Sequence, residues 1–163
     1  MLIQQNVDGS NFFDRSWAEF KVGFGDTSGN FWLGNDLISQ LSLTGNYKLR
    51  FDLQKFGTND WYWAEYTTFT VLGEASNYTL QVGGYSSNTS YDALDYNNGM
   101  MFTTYDRDND LRSGSNCAQE NQGGFWYHSC AVCSVTSARS TTFDDFRWYN
   151  IDLQTSRMWL ICQ

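Results

Sequence analysis

Three carboxylates at alternate positions, Asp106, Asp108 and Asp110, stand just ahead of Asn116-Cys117-Ala118 and the run Gly123-Gly124-Phe125-Trp126-Tyr127-His128-Ser129-Cys130. Alternate carboxylates can converge on one hard cation, and Ca²⁺ takes about six to eight oxygen ligands. The two cysteines bound an aromatic-rich loop that can be held rigid for binding. The stretch reads as a calcium-braced recognition surface and not as a catalytic centre. An EF-hand is excluded: counted from Asp106, the sixth position is Leu111 and the twelfth Cys117, where that loop needs Gly and Glu. Catalysis finds little to work with. The one histidine, His128, would have to serve every nucleophilic scheme. Asp144-Asp145 are adjacent on the chain and point apart, unlike the paired carboxylates of a glycosidase.

Composition narrows the partners. The net charge is -8 and the pI about 4.4, so the clustered Lys and Arg that nucleic acid demands are missing. Anionic membranes are disfavoured on the same ground. Aromatic residues make up 18% of the 163-residue chain, so large rings must build most of the core, and the remainder can line a binding surface. The length fits one domain with a core of its own.

The four cysteines, Cys117, Cys130, Cys133 and Cys162, allow three pairings of two disulfides. Cys130-Ala131-Val132-Cys133 also has redox-pair or half-zinc spacing, but a single His leaves few further zinc ligands. Two N-glycosylation triplets, Asn77-Tyr78-Thr79 and Asn88-Thr89-Ser90, combine with the even cysteine count to favour an extracellular, oxidising setting. No apolar run is long enough to span a bilayer. No secretory leader is legible where Met1 runs into domain-like sequence. That leaves open a leader already removed, another route of export, or a cytosolic protein.

The elements that must carry this stretch are short. Proline is absent, so Gly, Asn and Asp make the turns. Residues 16–22 form a helix capped by Asp14 or Ser16, and residues 35–41 a second capped by Asn35 or Asp36. Tyr47 to Leu53 alternates apolar with polar and is the clearest strand. Trp61 to Val71 is its antiparallel partner across Gly57-Thr58-Asn59-Asp60, and Tyr78 to Val82 a third strand. Long loops are expected from Asn88 to Ser140, and such loops in a compact domain are usually functional. Arg157 to Cys162 closes the sheet. This divides a single domain, 1–163, into a sheet region of about 1–85, a binding lobe of about 86–150 and a closing strand of about 156–162.

Several of these segments together resemble a known family. Val7-Asp8-Gly9-Ser10, Trp17-Ala18-Glu19-Phe20-Lys21-Val22-Gly23-Phe24-Gly25 and Gly29-Asn30-Phe31-Trp32-Leu33-Gly34-Asn35-Asp36 look like successive motifs of the fibrinogen C-terminal domain. So do Asp106-Arg107-Asp108-Asn109-Asp110, Asn116-Cys117-Ala118 and Gly123 to Cys130, while Met158-Trp159-Leu160-Ile161 stands at the family's final strand. The likeness is greatest to lectins of the ficolin and tachylectin type. It implies an α+β fold, with a twisted antiparallel sheet, short helices and an irregular C-terminal lobe for calcium and ligand. It also implies a secreted protein of innate-immune or agglutinin type.

Carried over by motif, the Ca²⁺ ligands are the side chains of Asp108 and Asp110 and the carbonyls near Arg112 and Gly114. Cys117 pairs with Cys130, which leaves Cys133 and Cys162 as a second bridge, or Cys162 as a cross-link between chains. The pocket is built on a cis peptide at Ser129-Cys130, with the N–H groups of Cys130 and Ala131 holding an acetyl oxygen. Its walls draw on Asn121, Trp126, Tyr127, His128 and Phe143, and Arg139 and Arg147 stand ready for an anionic sugar such as sialic acid.

The chain departs from the pattern in three ways. It opens at the family's central motif, without the usual N-terminal subdomain. It lacks the Asn-Leu-Asn-Gly stretch after the second cysteine. Cys133 and Cys162 are not family cysteines. Relatives also often carry His at Ala131 and Tyr at Asn121. The implied function is a lectin for glycans bearing acetamido sugars, such as N-acetylglucosamine, N-acetylgalactosamine or sialic acid, that oligomerises through the domain itself. The alternative is a module that binds a peptide or receptor.

Overall fold

A computed structural model describes residues 1–139 and 146–163. Two strands carry the centre of the sheet: β4 (Tyr47–Lys55) alternates and buries Leu49, Phe51 and Leu53, while β5 (Trp61–Val71) buries Ala64 and Tyr66 and then, after its phase shifts at Thr67-Thr68, Phe69 and Val71. They pair antiparallel with Leu49 opposite Tyr66 and Phe51 opposite Ala64. The third strand, β6 (Leu80–Ser87), begins two residues later than expected. Tyr78 adopts a left-handed φ of 51° and is buried, which ends strand geometry before Leu80.

The closing strand is longer than its apolar pattern. β9 runs from Ile151 to Cys162 and lies between β4 and β1 (Leu2–Asn6), so the first and last strands are neighbours inside the sheet. β1 is a strand that the sequence hides. Its Gln4, Gln5 and Asn6 are polar yet buried, because each amide has a partner: Gln4 Nε2 donates to Val135 O at 3.0 Å and to Ser156 Oγ at 3.1 Å. Two short strands, β2 (Phe24–Gly25) and β3 (Phe31–Trp32), extend the sheet beyond β1, giving the order β2-β3-β1-β9-β4-β5-β6.

The first helix, α1 (Trp17–Val22), starts where Ser16 caps it. The Ser16 hydroxyl accepts from Glu19 N, and the Glu19 carboxylate accepts from Ser16 N at 2.9 Å, a reciprocal capping box. The second, α2 (Asn35–Thr44), corrects the expected cap: its N-cap is Gly34, at φ 110°. A Cβ at Gly34 would meet the Val22 backbone at 2.8 Å. Asn35 Oδ1 instead accepts from Trp32 Nε1 at 3.0 Å, and Asp36 accepts from the Tyr78 hydroxyl. Both expected caps are therefore spent on tertiary contacts.

Between Ser87 and β9 the described residues hold little regular structure, as the sequence implies: α3 (Cys117–Asn121), β7 (Cys133–Ser134) and β8 (Arg147–Trp148), besides a turn of 3-10 helix at Asp95–Asn97. Rings fill the gap between sheet and lobe. Phe20, Trp32, Phe102 and Trp126 touch in sequence at centroid distances of 5.3, 5.8 and 5.2 Å, and Phe51 meets Trp148 at 4.9 Å.

The expected bridge between Cys133 and Cys162 is overturned. Cys117 and Cys130 are bonded with Cα atoms 5.5 Å apart, while Cys133 is free and buried and Cys162 free and exposed. The ladder explains why. Cys133 lies opposite Trp148, and Trp148 opposite Ile151 at the start of β9. Cys162 lies opposite Tyr47 at the far end of the same strand. At about 3.4 Å per residue the two thiols sit roughly 35 Å apart along β9, far beyond the reach of a disulfide.

Two outcomes follow from this packing. Phe51→Ala removes a ring held between Trp148 and Tyr66 and should cost about 3–5 kcal/mol in urea unfolding. Asp92 accepts from the Tyr66 hydroxyl at 2.5 Å. Burial pushes its carboxyl above the ordinary range, against the lowering effect of that hydrogen bond. A carboxyl raised on folding favours the fold below its unfolded pKa, and the benefit is lost as pH rises through the raised value. Asp92→Asn keeps an acceptor for Tyr66 without the charge, so its Tm should vary less than wild type across about pH 4 to 7.

Candidate functional site

The three alternate carboxylates have separate tasks. Asp106 Oδ1 accepts from Trp17 N at 2.9 Å and from Thr104 Oγ1 at 2.8 Å, fastening the lobe to the start of α1. Asp108 Oδ1 accepts from Asp110 N at 3.2 Å. Asp110 bridges its own loop: one oxygen accepts from Arg112 N and the other from Cys117 N, both at 2.8 Å. Burial pushes the Asp110 carboxyl up and the Asp108 charge adds to this, while the two backbone N–H groups pull the other way. Two acidic groups held together in a largely exposed turn, Asp108 exposed and Asp110 half-buried, suit a cation that neutralises both. Carboxylate oxygens that already accept one hydrogen bond keep a lone pair for a metal. Gly114, at φ 86°, has open space around it, so the turn at 112–114 can present carbonyls. Among the described residues no three His, Cys, Asp or Glu side chains gather into a metal site, so any cation here would rest on two carboxylates and main-chain oxygens.

This turn is coupled to the second loop. Leu111 N donates to His128 O at 2.8 Å, and Arg112 Nη1 reaches Glu120 Oε2 at 2.6 Å and Cys130 Sγ at 3.3 Å. With the Cys117–Cys130 bond, the acidic turn, α3 and the 128–131 loop form one cross-braced unit. The Ser129-Cys130 peptide is cis. His128 N donates to Cys130 O at 2.7 Å. Ser129 is exposed, and Cys130, Ala131 and Val132 are half-buried. Among the described residues the backbone N–H groups of Cys130 and Ala131 meet no acceptor.

The walls differ from those read in the sequence. Tyr127 is fully buried, its hydroxyl donating to Gly123 O at 2.7 Å, and Trp126 is buried with its Nε1 on Tyr78 O at 2.7 Å. Both belong to the core, because the rings that follow Gly123-Gly124 turn inward against Phe102 and Phe125. Asn121 is half-buried at the end of α3, with Nδ2 bonded to Cys117 O at 2.7 Å. Arg139 is not free for an anionic sugar: its guanidinium lies 4.0 Å over the Phe56 ring and donates to Leu153 O. Arg147 is exposed on β8. Phe143 and the Asp144-Asp145 pair lie outside the described residues.

His128 keeps its place at the site and gains a partner the sequence did not reveal. Tyr96, 36% exposed, lies against it at a tilt, with ring centroids 4.6 Å apart. His128 Nδ1 is buried and has no hydrogen-bond partner. A second exposed pair, Tyr91 and Tyr149, stacks at 4.5 Å, and Tyr149 N donates to Val132 O, which sets it beside the same loop. The signal for these tyrosines is weak: each sits among Asn and Asp in a segment without periodicity. The arrangement offers open backbone donors on a braced loop beside aromatic faces, which suits reversible binding of a small polar group. A cleft of about 440 Å³ is lined by Asp14, Tyr105, Gln119 and Gln122, none of them in the 128–131 loop.

Comparison with known proteins bears on the family and the fold. The family described as fibrinogen beta and gamma chains, C-terminal globular domain, matches residues 1–151. Human Ficolin-3 is 40% identical over 157 residues, covering 96% of this chain and 52% of that protein. The fibrinogen-like globe domain of human ANGPTL2 superposes with a TM-score of 0.87 at 34% identity, over 99% of this chain and 79% of that one. A lamprey fibrin D-dimer, complexed with the peptide ligand Gly-His-Arg-Pro-amide, superposes with a TM-score of 0.85 at 28% identity, over 99% of this chain and 60% of that one. The chain spans about half the length of Ficolin-3. A family match across most of its residues, with an α+β globe of the same topology, makes this chain a member of the fibrinogen C-terminal globular domain family.

Proposed function

We propose that the chain is a secreted recognition module that binds an acetamido-bearing glycan reversibly at the 128–131 loop. The observation that carries the reading is the pair of open N–H donors at Cys130 and Ala131, on a loop fixed by the disulfide and flanked by His128 and Tyr96. An acetyl carbonyl would accept from the two N–H groups, and the acetyl methyl would lie against the rings. Its binding energy would come from desolvated hydrogen bonds and aromatic contact, and no bond is made or broken. The likeness to ficolin-type lectins supports this reading. Weak single sites gain strength by multivalency, so an agglutinin would need copies of the domain to associate.

Ca²⁺ enters this proposal as a brace. Asp108 and Asp110 would hold it with the carbonyls near Arg112 and Gly114, and it would neutralise the paired carboxylates. Its effect would reach the ligand loop through the Leu111–His128 and Arg112–Cys130 contacts.

A peptide-binding reading stands beside this one, favoured by the likeness to the peptide-bound lamprey fibrin. The same open donors would serve a peptide backbone or terminus. No helix among the described residues is long and apolar enough to cross a membrane.

A glycan array with and without chelator separates the two. Calcium-dependent signal on N-acetylated glycans is expected, and a blank array with well-folded protein would transfer the site to a peptide or receptor. His128→Ala should weaken retention on an N-acetyl sugar resin about tenfold, or 1.4 kcal/mol, with Tm unchanged. For the metal, a concentration of 100 times Kd should stabilise the wild type by about 2.7 kcal/mol. Asp108→Ala, and Asp110→Asn, which keeps an acceptor for Cys117 N, should each lose most of that gain in calorimetry. An equal Ca²⁺ response in both variants would remove the metal from this turn.

A further inference from the structure

We propose that Asn88 is an N-glycan acceptor and that Asn77, which heads the other Asn-Xaa-Ser/Thr triplet, is not. The two triplets look alike in sequence, and the structure separates them. This inference is independent of which ligand the 128–131 loop takes.

Asn88 follows the last residue of β6 and is exposed, as is Ser90. Its backbone N–H donates to Trp63 O at 3.2 Å, and its side-chain Oδ1 accepts from Trp63 N at 2.7 Å. The residue thus closes the end of the β5–β6 ladder with its own amide. This clamp uses the oxygen alone, and Nδ2 bonds to none of the described residues. N-glycosylation acts on the free atom. Nδ2 attacks the anomeric carbon of a polyprenyl-diphosphate-linked oligosaccharide. The new bond is N–C, the C–O bond to the diphosphate breaks, polyprenyl diphosphate leaves, and Nδ2 gives up one proton. The amide oxygen stays a carbonyl, so the bond from Trp63 survives the modification.

Asn77 has both ends of its amide engaged. Oδ1 accepts from Arg107 Nη2 at 2.6 Å, and Nδ2 lies 3.1 Å from Met101 Sδ. The residue is half-buried at a left-handed φ of 50°, the neighbouring Tyr78 is fully buried, and Asn77 O accepts from Phe102 N at 2.9 Å. A sugar on Nδ2 would have to displace Met101 where the sheet region meets the lobe. A chain that carried one there before folding could not make this join.

Placement gives the Asn88 glycan a use. β6 is an edge strand of the sheet, and open edges invite pairing with another chain. Asn98 already covers one end of it, accepting from Val82 N at 2.9 Å and donating to Val82 O at 3.2 Å. A glycan at Asn88 stands at the other end.

The test is to express the chain behind a secretion leader in insect cells and to map glycopeptides on the medium and the microsomal fraction, before and after peptide-N-glycosidase. One core glycan is expected, on the peptide carrying Asn88. Ser90→Ala should abolish it with Tm unchanged, since that variant leaves the Asn88–Trp63 bond intact. Thr79→Ala should leave it in place. A glycan at Asn77 in folded, secreted protein would overturn the inference, as would a folded chain without any glycan.

Discussion

The loop-rich lobe has almost no backbone ladder of its own, and every buried peptide group in it still needs a partner. Side-chain carboxylates and amides supply those partners. Asn116 Oδ1 accepts from Ala118 N and Gln119 N while its Nδ2 donates to Thr104 O. Asn97 Nδ2 donates to Trp126 O at 2.6 Å, and Asn109 Nδ2 to Phe102 O at 2.8 Å. Asp110 holds two backbone donors at once. The shape of the site rests on this substitution of side chains for secondary structure. The same residue types that suit a hard cation are the ones that can hold an irregular chain in place.

Packing supplies the second constraint. Large rings fill the space between sheet and lobe where regular elements cannot, since a few aromatics cover much area at little entropic cost. Trp126 and Tyr127 are therefore structural even though they lie within three residues of the candidate site. Three of the rings left at the surface, Tyr91, Tyr96 and Tyr149, are held by contact with another ring. Position in the chain does not tell these groups apart, and burial does.

The lobe is also fastened to the sheet by polar contacts that span the chain. Gln4 and Asn6 of β1 donate to Val135 O, and Ser156 of β9 donates to the same carbonyl. β1 and β9 pair antiparallel beneath them, with a register shift between Leu2 and Gln4. The segment after Cys130 is thus tied to both end strands through Val135, which fastens the candidate loop to the sheet.

By itself the sequence determined the α+β class, helices α1 and α2, the β4–β5 pair and the loop-rich lobe, and its resemblance to the family implied the Cys117–Cys130 bond. These are local: they show as capping residues, strict alternation or contiguous motifs. Tertiary structure decided the rest. Gln4 and Asn6 read as solvent-facing until Val135 and Ser156 supply partners. β9 reaches back to Ile151 because β4 and β8 pair with it there, and a register shift against β4 carries the strand through Thr155-Ser156, where its alternation breaks. Cys133 and Cys162 could be joined on paper, but the length of one strand keeps them apart. Tyr96 meets His128 only through the fold, across a separation that no periodic pattern spans. A sequence records what each residue can bond to, and only the folded chain determines which of those partners is within reach.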